Sequence, residues 1–382
     1  MTNTKDQHMH GAVALTRRGL LKSAPAIVGG AALLGASGLL PTAQAQAKAQ
    51  DAGFSTPDYD AIVRKLVEGK VIKVGFTPPI LSEFFDIMEH AAFRQAQNYT
   101  ERFGVKWEWQ RASPSGDFNS VEGQYNIIQN WITAGLDVIM VCTAGNYKDT
   151  EKLYTDARAK GITIIQFNMP IELWDPALVL DTCSVGYDNI LQSGYVAGKF
   201  IAEKLGGKGK VLQIWGPSGS IWSEARQKGF DMILAEYPDL KVVGIADGGY
   251  VRDKGFAAAQ NLLTANPDVN AVYGENEEMA LGASQAIDSL GLSHWDGTEG
   301  VITIGADGLQ SGFQAIREGR LSATISVGGV GQGLTLVEVA FAIRALGMTA
   351  PKVNNVPVLL VEVSNVDGVD ALQAWALGAT PL

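Results

Sequence analysis

Histidine and cysteine are almost missing from this chain. Two cysteines in 382 residues exclude a disulfide framework and a Cys-rich zinc module. Of four histidines, His8 and His10 lie near the start, which leaves His90 and His294. Catalysis built on histidine is therefore not expected. Basic charge is also short: 30 Lys and Arg stand against 40 Asp and Glu, a net charge of −10. An acidic surface repels phosphate backbones and excludes a general nucleic-acid binder. After residue 50 there is no apolar run long enough to span a bilayer. Disorder is excluded too, because 46% of residues are hydrophobic and only 18% charged. A chain this long buries most of its surface and commonly divides into two domains.

The first 45 residues read as an address. Thr16-Arg17-Arg18-Gly19-Leu20-Leu21-Lys22 is a twin-arginine pattern, followed by a Gly/Ala-rich apolar stretch to Leu40 and by Pro41-Thr42-Ala43-Gln44-Ala45. That order is the one of a cleavable export signal, so a periplasmic location is expected. Lys22 and the scattered glycines argue against a membrane anchor, and no cysteine is present for lipid attachment. Residues 46–68 read as a polar linker.

Beyond it, short Val/Ile-rich segments alternate with amphipathic ones. Strands are expected at Val71–Phe76, Val105–Trp109, Asp137–Cys142, Ile162–Phe167, Leu178–Thr182, Lys210–Trp215, Lys241–Ile245, Asn270–Tyr273, Val301–Gly305, Ser322–Ser326 and Val356–Val363. Helices are expected between most of them, including Glu83–Arg102, Leu191–Leu205 and Met279–Leu290. Near-continuous apolar strands separated by helices predict parallel sheets covered on both faces. So many strands favour two sheets over one. Ligands of such sheets bind beyond the carboxyl ends of the strands. The segments there are polar, Gly-rich and mostly uncharged, as in Thr143-Ala144-Gly145-Asn146 and Gly216-Pro217-Ser218-Gly219-Ser220. A phosphate site would want Lys or Arg beside its glycines.

Several stretches, in order, resemble the ribose-binding branch of the type I periplasmic sugar-binding proteins. They are Ser82-Glu83-Phe84-Phe85, Gly186-Tyr187-Asp188-Asn189, Glu224-Ala225-Arg226-Gln227-Lys228-Gly229-Phe230, Asn261 to Val269, Asn276 to Gly282, and Ile304-Gly305-Ala306-Asp307-Gly308. The resemblance spans residues 69–366. It implies an α/β fold of two doubly wound parallel-sheet lobes joined by a three-stranded hinge. The N-terminal lobe would be 69–187 with 328–356, the C-terminal lobe 188–327 with 357–366. Residues 367–382 form a tail with no counterpart in the family.

The same resemblance implies a ligand site in the cleft. A sugar has apolar faces and a rim of hydroxyls, so aromatic, amide and carboxylate groups are sought together. Phe84 and Phe85 would supply a face, although one of them can equally be helix core. Asn276 and Asp307 match binding residues, and each could instead be an N-cap. Arg226 matches a clamping arginine whose fork holds two hydroxyls. Tyr250 is a candidate stacking wall, and Trp222 stands where the family has a small residue. The N-terminal lobe departs from the ribose pattern at Cys142, Phe167, Asn168 and Tyr187, with Asn146 or Thr143 as replacement contacts. Ribose is accordingly expected to bind weakly. Cys142 and Cys183 could pair.

The expected function is a periplasmic receptor for a neutral sugar or polyol, delivering it to the membrane permease of an ABC-type importer. It would act as a monomer, by hinge closure, with no cofactor, metal or catalytic residue. A sensor presenting a small molecule to a chemoreceptor shares the fold. An enzyme on the same architecture is disfavoured, because neither a G-x-G-x-x-G fingerprint nor a Ser/His/acid constellation is present.

Overall fold

In the computed structural model, residues 58–115, 120–145, 147–169, 183–187 and 191–382 are described, apart from the side chains of Tyr147 and Leu191. The leader, Asn146 and the strand expected at 178–182 lie outside them, as do Asp188 and Asn189. The described strands form two six-stranded sheets. The first holds β1 (Val71–Thr77), β2 (Lys106–Arg111), β3 (Val138–Val141), β4 (Thr163–Phe167), β5 (Cys183–Tyr187) and β11 (Val353–Val356), ordered β11-β5-β4-β3-β1-β2. The second holds β6 (Lys208–Trp215), β7 (Asp239–Asp247), β8 (Ala271–Gly274), β9 (Ile302–Asp307), β10 (Ala323–Ser326) and β12 (Leu359–Val361), ordered β12-β10-β9-β8-β6-β7. All pairs are parallel except β10 with β12. Every residue of β3 and of β8 is buried, as helices on both faces require.

The helices around the first sheet include α1 (Tyr59–Val67), α2 (Glu83–Phe103), α3 (Val121–Ala134) and α4 (Glu151–Ala159). Those around the second are α5 (Leu191–Lys204), α6 (Ile221–Glu236), α7 (Arg252–Ala265), α8 (Glu277–Ser289) and α9 (Gln310–Arg317). After β10 the chain passes back to the first layer, where α10 (Gly329–Ala340) lies on α2. A last helix, α11 (Val366–Leu377), follows β12. Glycine ends α2 and α3 in the same way: Gly104 and Gly135 take left-handed conformations that a side chain would disfavour. Among the described residues no helix is long and apolar enough to cross a membrane.

Three expectations change. The stretch Val356–Val363 is not one strand: Val356 is the last residue of β11 in the first sheet, Pro357 and Val358 carry the chain between sheets, and Leu359–Val361 is β12 in the second. Proline has no N–H for the ladder, which lets pairing stop there. The supposed linker contains α1, capped by Asp58, whose side chain accepts from the Ala61 amide, and tied to α2 by the Asp60–Arg102 ion pair at 2.7 Å. The cysteines do not pair: Cys142 Sγ lies against Met169 Sδ, and Cys183 Sγ donates to the Pro351 carbonyl.

Two helix pairs approach closely through glycine. A Cβ on Gly333 of α10 would overlap the Met88 carbonyl of α2, and one on Gly194 of α5 would overlap the Arg226 carbonyl of α6. Backbone cannot give way as a side chain can, so Gly333→Ala and Gly194→Ala should each destabilise the protein by about 1–3 kcal/mol. Gly368→Ala, with nothing within 4 Å of the added carbon, should not. Thermal denaturation of the three variants checks this.

Candidate ligand-binding cleft

Because the strands of each sheet run parallel, their carboxyl ends gather their following loops on one side. These loops enclose a cleft of about 380 Å3 between the two lobes. The volume is that of a small-molecule site.

From the first lobe come Ile80, Leu81, Ser82, Glu83, Phe84 and Phe85, where β1 runs into α2, together with Asn168 after β4. Phe84 and Phe85 both line the cleft, meeting edge to face with ring centroids 5.3 Å apart. Asn168 adopts φ 52°. Its amide N–H donates to the Val185 carbonyl at 2.9 Å and to Gln332 Oε1 at 3.1 Å. Its side-chain oxygen is buried without a partner. A buried acceptor left unmade costs about 1–3 kcal/mol.

From the second lobe come Trp222 and Arg226 of α6, Tyr250 before α7, Asn276 before α8, and Asp307 at the end of β9. Arg226 is 4% exposed. It donates from Nη1 to the Glu275 carbonyl and from Nη2 to Asp307 Oδ1 at 3.4 Å, while Nε has no partner. Tyr250 holds φ 61° and its hydroxyl meets Ser220 Oγ at 3.0 Å. Gly216 is required beneath it, since any side chain there would overlap the ring. Arg252 and Glu278 form a two-pronged ion pair at the rim, 2.8 and 2.9 Å.

Among the described residues, side chains link the lobes directly across the cleft. Trp222 Nε1 donates to the Asn168 carbonyl at 2.7 Å. Glu83 accepts from the Ser311 amide at 3.3 Å and hydroxyl at 3.0 Å. Trp222 packs in the same apolar cluster as Phe84, Phe85 and Leu309, so the lobes meet through a continuous core.

Not every expected residue reaches the cleft. Phe167 is fully buried, stacked on Phe76 at 4.7 Å and edge-on to Phe85 at 6.0 Å. It backs the cleft wall and does not line it. Tyr187 is likewise buried and absent from the lining, although it lies close enough to interact with Arg226. Asn276 lines the cleft, but both ends of its amide are used. Its Oδ1 caps α8 through the Met279 amide at 2.9 Å, and its Nδ2 donates to the Tyr250 carbonyl at 3.3 Å. The cap reading of this residue is thus realised, and its effect on the cleft is to fix Tyr250.

Two buried carboxylates were not anticipated. Glu275 accepts from the Gly216 amide at 2.7 Å and from the Ser223 hydroxyl. Glu277 accepts from the Gly308 amide at 2.9 Å and from Thr324 Oγ1 at 2.5 Å. In sequence they belong to an acidic run that reads as a favourable first helical turn, with nothing to mark it as buried. Burial pushes Asp307 up to about 6 against the pull of Arg226, Glu275 to about 7 against its hydrogen bonds, and Glu277 to about 8. Among the described residues no group of three His, Cys, Asp or Glu is placed to hold a metal ion.

Comparison with known proteins follows the same lines. The sequence profile of a family described as periplasmic binding protein domain matches residues 74–347. A ribose import binding protein of Salmonella typhimurium is 37% identical over 142 residues, covering 37% of this chain and 45% of that protein. The matched stretch is thus about half the length of that relative. A xylitol-binding protein of Mycolicibacterium smegmatis is 26% identical over 277 residues, 71% of this chain and 72% of the relative. In structure, an ABC transporter solute binding protein from Bacillus halodurans with bound myo-inositol superposes with TM-score 0.68 at 27% identity, over 80% of this chain and 99% of that one.

The raised carboxylates set a pH dependence. Asp307, Glu275 and Glu277 bind protons more tightly folded than unfolded, where their values are 3.8, 4.5 and 4.5. Their contribution to stability therefore falls as pH rises through this interval toward about 8. The ligand-free protein should melt higher at about pH 5.5 than at about pH 8, and Glu277→Gln should flatten that slope. A series of thermal melts across this range is the check. A slope of opposite sign contradicts the burial of these groups.

Proposed function

Since this chain belongs to the periplasmic binding protein family, we propose that it is a receptor that holds one neutral sugar or polyol in its cleft and hands it to an ABC-type importer. The observation that carries the reading is the ion pair of Arg226 and Asp307 at the wall of a cleft that Asn168 and the Phe84 and Phe85 rings also line. A hydroxyl both donates and accepts, so a polyhydroxy ligand can satisfy a guanidinium, a carboxylate and an amide oxygen at once. The rings cover its C–H faces. Arg226 is already balanced by Asp307, which leaves no surplus positive charge for a phosphate or sugar acid.

The relatives support this class. One is named for xylitol, another for ribose, and a structural neighbour carries myo-inositol. Trp222 fills one side of the cleft and narrows it, which favours a compact ligand. In our reading the lobes are 69–187 with 328–356 and 188–327 with 357–366. The protein works as a monomer outside the cytoplasmic membrane, exported through the Arg17-Arg18 leader. Its permease recognises the closed form, and ligand acts by favouring that form over the open one.

Thermal shift against xylitol, myo-inositol, D-allose, D-ribose, galacturonate and ribose 5-phosphate tests the reading. At a hundredfold excess over Kd, a true ligand adds about 2.7 kcal/mol of stability. At least one neutral compound should do so, and the two charged ones should not. Asp307→Asn should weaken the best ligand by about tenfold or more while the protein still folds. Stabilisation by the charged compounds alone, or undiminished affinity in Asp307→Asn, would overturn the proposal.

A further inference from the structure

The C-terminal helix α11 lies behind the cleft, not in it, and three sets of contacts hold it. On the second lobe, Arg317 of α9 pairs with Asp367 at 2.9 Å and Asp370 at 2.7 Å, and Gln310 donates to Asp370 at 3.1 Å. On the first lobe, Arg94 of α2 donates to the Trp375 carbonyl at 2.8 Å, and Gln97 to the Thr380 carbonyl at 2.5 Å. Between these anchors Gln373, 4% exposed, donates its side-chain amide to the Gly308 carbonyl.

Gly308 follows Asp307, and the backbone at both is unusual. Asp307 has φ 133° and Gly308 φ 72°. A Cβ at Gly308 would lie 2.7 Å from Ser326 Cα, so no other residue fits. Strained backbone of this kind persists only where its surroundings over-determine it. Both polar backbone groups of Gly308 are indeed held by buried side chains, the N–H by Glu277 and the carbonyl by Gln373. Docking α11 does not need a glutamine here. The ion pairs and the buried Val366 and Ala376 already hold it, and Gln373 Oε1 is buried without a partner, a cost that Leu or Met would avoid.

We propose that Gln373 is a positioning residue of the ligand cleft: through the Gly308 carbonyl it holds the Asp307–Gly308 turn so that the Asp307 carboxylate faces Arg226 and the ligand. The C-terminal tail thereby becomes part of the binding machinery. The inference rests on the reading of Asp307 as a ligand group.

Gln373→Met keeps length and removes the donor, and Gln373→Leu removes it with a branched apolar side chain. Two readouts on the full chain decide. Hydrogen exchange of the 305–312 segment in ligand-free protein should quicken in both variants. Calorimetric affinity for xylitol or myo-inositol, whichever the wild type binds, should fall by about three- to tenfold, the worth of one buried hydrogen bond. Arg317→Gln, which loosens the outer end of α11, should lower the melting temperature and change neither readout. Wild-type exchange in Gln373→Met overturns the proposal, as does an Arg317→Gln variant that reproduces both effects. If neither polyol binds the wild type, that outcome counts against the sugar-receptor reading alone, and the exchange comparison still decides the role of Gln373.

Discussion

A guanidinium taken out of water is the constraint around which the second lobe is built. Arg226 is almost wholly buried, and desolvating such a charge is expensive unless nearby groups offset it. Its surroundings do so incompletely. The Glu275 carbonyl takes one amine, Asp307 takes another at a long 3.4 Å, and Nε has none. Glu275 and Glu277 stand behind, each held by a loop amide, of Gly216 or Gly308, and by a hydroxyl, of Ser223 on α6 or Thr324 on β10. The arrangement keeps hydrogen-bonding capacity unspent inside a protein, which a ligand rich in hydroxyls can take up.

The first lobe supplies the complementary wall, and the reason is steric. Phe167 occupies the core under Phe85 and so aims Phe84 and Phe85 into the cleft. Asn168, next in the chain, turns in a left-handed conformation and is gripped at its N–H by Gln332 of α10 and at its carbonyl by Trp222 of α6. Gln332 also donates to the Val327 carbonyl, where the chain passes between the lobes. A single run of hydrogen bonds thus joins the crossing, the first-lobe wall and the second-lobe helix.

The alternation of strands and helices was legible in the sequence because parallel strands must be apolar on both faces and helices on one. What failed were places where the local pattern is ambiguous. The run from Val353 to Val363 is β-like apart from Pro357, and only tertiary pairing sets Val353–Val356 in one sheet and Leu359–Val361 in the other. Tyr59–Val67, by contrast, carries the helical spacing, with apolar Tyr59, Ile62, Val63, Leu66 and Val67 behind an Asp58 cap, so this helix was legible in the sequence and reads as linker only because the residues before it are polar. In the cleft, Phe84, Phe85, Asn168, Trp222, Arg226, Tyr250, Asn276 and Asp307 come together, and they were read from loops that follow strands or from resemblance. Phe167 and Tyr187 sit on strands, where alternation decides which face a side chain takes, and both face the core. Glu275, Glu277 and Gln373 could not have been found, since their burial depends on loops distant in sequence.

The central claim is that Arg226 in its carboxylate setting recognises a neutral polyhydroxy ligand. Calorimetric titration with xylitol and with myo-inositol, on wild type and on Arg226→Met, tests it most directly. The account predicts one site per chain for at least one of them and loss of measurable binding in the variant, with the cleft otherwise intact. Binding of equal strength in Arg226→Met would contradict it.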